Sequence, residues 1–241
     1  MLLIIQNDPE VPPGNFAAAI NELKVPCLTV HPYIGEVIPP VREVSAAIVL
    51  GGAMGVHDTG KHPFLVRVKA FIRECMRTET PFLGVCLGGQ LLAEQLGGRV
   101  IADSQHAEKG TLPVTLTAAG EEDPLFTGIS REFISFQWHN DSFEIPANGT
   151  HLAFSVDCPG QAFRIGPCAW GTQFHPEVDC SIVDCWARWT EETAPLADQF
   201  LADFARTEQT YLQASRRLLG NFLRMAGFTL RVERRDPNEK S

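Results

Sequence analysis

No stretch of the chain comes near the roughly 18 uninterrupted apolar residues that a membrane-spanning helix needs, so a membrane protein is not expected. The opening residues MLLIIQNDPE lack both the basic start and the length of a secretory signal. Basic side chains are also short: 20 Lys and Arg stand against 29 Asp and Glu, a net charge of −9. That is the wrong sign for a nucleic-acid partner, whose phosphates need a basic surface. A cytoplasmic protein that binds neither membrane nor nucleic acid is expected. There is no internal repeat, no low-complexity linker and no P-loop of the form G-x4-G-K-S/T, so a single domain over 1–241 is expected. A hydrophobic share of 44% can fill one sizeable core.

Cysteine is present but not in pairs that mean anything by spacing. Seven of them, at 27, 75, 86, 158, 168, 180 and 185, cannot pair completely within one chain, and a chain without an export signal keeps its thiols reduced. Cys158, Cys168, Cys180 and Cys185 crowd together without the C-x2-C or C-x4-C repeats of zinc sites. No metal and no cofactor are therefore expected, and six of the seven cysteines are expected as buried space-filling thiols.

What the chain does have is alternation. Short apolar runs at LLIIQ (2–6), CLTV (27–30), AAIVL (46–50) and PFLGV (81–85) read as strands, while AAAINELKV (17–25), residues 64–77 and about Leu87 to Leu96 read as helices. Strand and helix in turn, with short connections, predict an α/β domain with a mainly parallel central sheet flanked by helices. After residue 99 the pieces RVIA, LPVTLT, EFISFQWHND, HLAFSV, QAFRIG and AWGTQFHPEV read as strands with no helices between them, predicting additional antiparallel strands. From Ser181 to about Gly227 the pattern is helical again, and residues 231–241 read as a polar tail. In the helical stretch Ile182, Val183, Trp186 and Trp189 are expected to pack on the core.

Cys86 falls on the turn between PFLGV and the following helix, within Gly84-Val85-Cys86-Leu87-Gly88. A sharp strand-to-helix turn needs small residues two places before and after a nucleophile. It also aims the amide of Leu87 and the positive helix end at the sulfur, which favours thiolate and can hold an oxyanion. A nucleophilic thiol wants a base, and the base an orienter. In QFHPEV, Glu177 follows His175 by two residues, and in extended chain such residues share a side. In VLGGAMGVHD (49–58) the glycines end a predicted strand, where Gly52 can offer a second oxyanion amide.

Taken in order, Gly51-Gly52, the G-x-C-x-G turn with Gln90 four residues after Cys86, and His175-Pro176-Glu177 resemble the class I glutamine amidotransferase family. The likeness runs from about residue 2 to residue 180, and GGAMGVHD and WHND most resemble its stand-alone, GMP synthase-like members. The resemblance implies a flavodoxin-like fold and a Cys86-His175-Glu177 triad that acts on a γ-glutamyl amide without a cofactor. It implies that Gln90 contacts the glutamine and that FQWHNDSF (136–143) closes its pocket. Asp141 is then the chosen partner of the substrate ammonium, and His139 either lines the pocket or serves as a base. Two departures stand out: Gly89 occupies a position that is often His in relatives, and Ala53 replaces the proline of a GGP turn, keeping an amide that is an alternative to Gly52. Three functions stay open. They are a glutaminase feeding ammonia to a synthase partner, a self-contained hydrolase of γ-glutamyl amines or peptides, and a non-catalytic binding module.

Overall fold

The computed structural model describes residues 1–230; the expected polar tail lies outside the described residues. Strands β1 (Leu2–Ile5), β2 (Cys27–Val30), β3 (Ala46–Val49) and β4 (Phe82–Val85) alternate with helices α1 (Gly14–Glu22), α2 (Phe64–Arg77) and α3 (Leu87–Gln95). The chain continues through β5 (Val100–Ile101), β6 (Glu108–Leu116), α4 (Ala118–Glu122), β7 (Glu132–His139), β8 (Ser142–Phe143), β9 (Gly149–Phe154), β10 (Ala162–Ile165) and β11 (Ala169–Thr172). Helices α5 (Cys180–Ala187) and α6 (Ala197–Met225) follow.

Nine strands form one sheet in the order β2-β1-β3-β4-β11-β10-β9-β6-β7. The first five run parallel and the last four join antiparallel. β5 and β8 make a separate two-stranded ribbon. The parallel strands are apolar on both sides because both faces are covered. Leu2 and Ile4 pack into a core with Phe16 and Ile20 of α1 and Leu219 and Phe222 of α6, while Leu3 and Ile5 face Leu65, Val68 and Ile72 of α2 and Leu91 of α3. The antiparallel half curls back, for Phe136 of β7 bridges to His175 just beyond β11.

Two expectations need correction. The region after residue 99 is not free of helices: Thr117 caps the short α4, its hydroxyl accepting from the Gly120 amide at 3.0 Å. The six other cysteines are not uniformly buried either. Cys75 and Cys158 are, whereas Cys27 and Cys180 are exposed and Cys168 and Cys185 partly so. Cys27 begins β2, at the sheet's edge, and Cys180 begins α5, so neither is covered by a second layer. The helical C-terminal stretch docks on its own sheet, with Ile182, Val183 and Trp186 buried, although Trp189 remains 37% exposed. Among the described residues no helix is long and apolar enough to cross a membrane.

Candidate active site

Three neighbouring parallel strands deliver the site. Gly51 and Gly52 follow β3, Cys86 follows β4 and His175 follows β11, all at the carboxyl edge where open α/β sheets bind ligands. Cys86 has φ 49° and ψ −108°, a strained conformation for a residue with a side chain. Such strain costs about 1–3 kcal/mol and persists only where its surroundings enforce it. Its amide donates to the Thr172 carbonyl at 2.8 Å, and its carbonyl accepts from the Gln90 amide at 2.8 Å. The flanking glycines are steric requirements: a Cβ at Gly84 would lie 2.4 Å from the Gly88 carbonyl oxygen, and one at Gly88 only 2.0 Å from that of Val49. At Gly89 a Cβ would meet the Thr172 carbonyl oxygen at 2.7 Å, so a histidine there would require the backbone to shift.

His175 is buried, and its Nδ1 lies 2.7 Å from Glu177 Oε1. Cys86 lies close enough to the imidazole to act on its proton. Burial by itself pushes an imidazole pKa down, but the charges of Glu177 and Cys86 and the polar contacts with both outweigh it and raise the His175 pKa to about 10. Trp186 packs edge-on against the ring with centroids 4.7 Å apart. The backbone of this segment is clamped from two helices. Tyr211 Oη of α6 donates to the His175 carbonyl at 2.9 Å and Ser215 Oγ to that of Pro176 at 2.5 Å. Asn15 of α1 donates through Nδ2 to the Pro176 and Val178 carbonyls, at 3.0 and 2.8 Å.

Above Cys86 lies a cavity of about 490 Å³ that Gly52, Gln90, His139 and Asp141 also line. Between the two alternative amides the geometry discriminates. The Ala53 amide already donates to Asp8 Oδ2 at 3.0 Å, whereas those of Gly52 and Leu87 have no acceptor among the described residues. Gln90 Nε2 donates to the Asp141 carbonyl and to Gln173 Oε1, each at 3.3 Å. His139 is not paired with Cys86: its Nδ1 meets the Asp141 carbonyl at 2.9 Å and its Nε2 faces Glu108. Asp141 Oδ1 accepts from the Asp103 amide at 3.1 Å.

Sequence reasoning missed Gln173, whose Nε2 approaches Cys86 Sγ at 3.6 Å. Its signal was available, since it precedes His175 by two residues and so shares its side. Tyr211, Ser215, Asn15 and Trp186 carry no such signal, being brought to His175 by helix packing alone.

The family model of class-I glutamine amidotransferases matches residues 15–184. The glutamine amidotransferase-like protein YfeJ of Salmonella typhimurium is 32% identical over 156 residues, 63% of this chain and 65% of that protein. The glutamine-hydrolyzing GMP synthase of Porphyromonas gingivalis is 35% identical over 166 residues, 67% of this chain and 30% of its own length. The chain thus spans less than two thirds of either relative. The solved structure of a glutamine amidotransferase from Thermotoga maritima superposes with a TM-score of 0.84 at 29% identity, over 93% of this chain and 97% of that one. A glutamine amidotransferase from Methylobacillus flagellatus gives 0.83 at 25% identity, over 100% and 98%. With a family match that covers most of the fold and contains all three converging strand ends, this chain belongs to the class-I glutamine amidotransferases.

Proposed function

We propose that the protein hydrolyses the side-chain amide of glutamine, with Cys86 as nucleophile, His175 as acid and base, and Glu177 as the group that orients and charges His175. The observation that carries this reading is the buried His175, hydrogen-bonded to Glu177 and set beside a strained Cys86 beneath an open cavity. The raised His175 pKa suits the imidazole to take and hold the Cys86 proton as the sulfur attacks. The thiolate attacks the γ-carbonyl carbon, and the oxygen that becomes negative is held by the amides of Gly52 and Leu87 at the start of α3. His175 gives its proton to the nitrogen, the C–N bond breaks, ammonia leaves and a γ-glutamyl thioester remains. Neutral His175 then takes a proton from water, whose oxygen attacks the thioester and releases glutamate and the thiolate. Asp141 pairs with the substrate ammonium, which needs an anionic partner once out of water. Gln90, one helical turn beyond Cys86, contacts the substrate amide or carboxylate. His139 supports the Asp141 carbonyl and is not the base.

One of the subunits of the glutamine-hydrolyzing GMP synthase of Pyrococcus abyssi is 31% identical over 61% of this chain, which suggests a synthase partner that receives the ammonia. A second reading rests on the cavity itself, which extends from Cys86 to Trp138 and Trp189 and so has apolar surface for a leaving amine larger than ammonia. Glutamate release from glutamine and from a panel of γ-glutamyl amines and peptides separates the two, with Cys86→Ala protein as blank. Turnover of glutamine that a synthase accelerates supports the first; brisk turnover of a γ-glutamyl amine by the protein alone supports the second. Equal rates in wild-type and Cys86→Ala protein refute both.

A further inference from the structure

One buried group of titratable side chains stands outside the bond and proton transfers of this chemistry. Glu108 opens β6 and His139 ends β7, directly opposite each other in the ladder, and Cys158 lies in the connection between β9 and β10. All three are buried, and their oxygen, nitrogen and sulfur atoms lie within 4.8 Å of one another. Two polar atoms here are unsatisfied among the described residues. His139 Nε2 has no hydrogen-bond partner and stands 3.5 Å from Glu108 Oε2, and Gln161 Oε1 is likewise orphaned although its Nε2 lies 2.5 Å from the same carboxylate oxygen. The His139 and Glu108 side chains are only 1% and 3% exposed, and orphaned polar atoms at such depth are costly.

We propose that Glu108, His139 and Cys158 bind a divalent cation of the zinc class, with the Gln161 amide oxygen or a water as fourth ligand. A thiolate, an imidazole and a carboxylate are the donor types that zinc prefers. Two anionic ligands and one neutral imidazole neutralise the ion, so no net charge is left buried. The ion displaces the Cys158 thiol proton to solvent as the Zn–S bond forms. Bond lengths of about 2.0–2.3 Å set ligand atoms about 3.5 Å apart in a tetrahedron, which side-chain rotations of about an ångström achieve. A second cavity, of about 330 Å³, abuts Cys158 beside His106 and His151. The spacing of cysteines does not reveal this site because its ligands come from three separate elements. An ion on Nε2 fixes the His139 proton on Nδ1, where it donates to the Asp141 carbonyl that Gln90 also contacts. The ion thereby stiffens the wall of the catalytic cavity that carries Asp141.

The test is a cobalt(II) titration of the metal-free full chain carrying Cys86→Ala, which removes the competing catalytic thiol. One equivalent of cobalt should give the intense visible bands of a tetrahedral site and a thiolate-to-metal charge-transfer band. Both should vanish in the added Cys158→Ser variant and survive in added Cys180→Ser, and zinc should bleach them and raise the melting temperature. His139→Asn should weaken cobalt binding at least tenfold, and it carries the test should Cys158→Ser fail to fold. No tetrahedral spectrum in the Cys86→Ala chain, a spectrum that persists in folded Cys158→Ser, or undiminished cobalt affinity in His139→Asn overturns the proposal.

Discussion

Replacing Glu177 by Gln keeps the volume and one acceptor oxygen but removes a buried negative charge. In the native protein the His175 pKa rises from an ordinary 6.5 to about 10, a change on the order of 5 kcal/mol in favour of the imidazolium. Burial opposes that rise, and among the groups that sustain it the charge of Glu177 is the largest, followed by that of Cys86. Without that charge only Cys86 and the retained hydrogen bond offset burial, and the imidazolium should lose its proton roughly 2 pH units lower. Because the folded value is raised, the stabilisation is complete below pH 6.5 and disappears as pH climbs through about 10. In the proposed mechanism, protonation of the leaving nitrogen by His175 should fail over the same range. The assay is the pH profile of kcat/KM for glutamate release, from neutral pH to beyond the native alkaline limb, alongside melting temperatures. In Glu177→Gln the alkaline limb should move toward neutrality and kcat should fall at least tenfold. An alkaline limb that stays where it was would refute the reasoning.

Other outcomes follow from the same geometry. Tyr211→Phe leaves the His175 carbonyl with only the long Ser135 contact of 3.4 Å, and should cost about 1–2 kcal/mol. Thermal unfolding should then fall by about 2–8 °C, with kcat lowered more than KM is raised. Gly88→Ala forces a methyl to within 2.0 Å of the Val49 carbonyl oxygen. Neither backbone can yield, so about 3 kcal/mol or more is lost, and the melting temperature should drop by about 6–12 °C or the protein should fail to fold.

Much of this architecture was legible because local signals agreed with the tertiary structure. β2 and α2 coincide with their predicted spans, since short apolar runs and a 3.6-residue stripe are each unambiguous when the flanking turns are rich in Gly and Pro. The convergence of Cys86, His175 and Glu177 was legible for a different reason. A nucleophile on a sharp turn demands glycines at fixed offsets, and an i, i+2 pair in extended chain needs no long-range information. That the Ala53 amide is already taken was not legible, because its acceptor, Asp8, lies 45 residues away. The clamp by Tyr211 and Ser215 was hidden likewise, at sequence separations of 36 and 39. Thr117 illustrates a signal too weak to use, a single hydroxyl opening a five-residue helix inside a run of strands. Glu108, His139 and Cys158 show the limit most clearly, for only strand pairing and a turn between strands bring them together.

The most direct test of Cys86 as nucleophile is to identify where a glutamine-like electrophile attacks. The purified protein is incubated with such a reagent, with and without excess glutamine, and the adduct is located by peptide mapping. One adduct is predicted, on Cys86, that glutamine suppresses and that Glu177→Gln slows. Modification of the exposed Cys27 or Cys180 in place of Cys86, or a Cys86 adduct indifferent to glutamine, would contradict it.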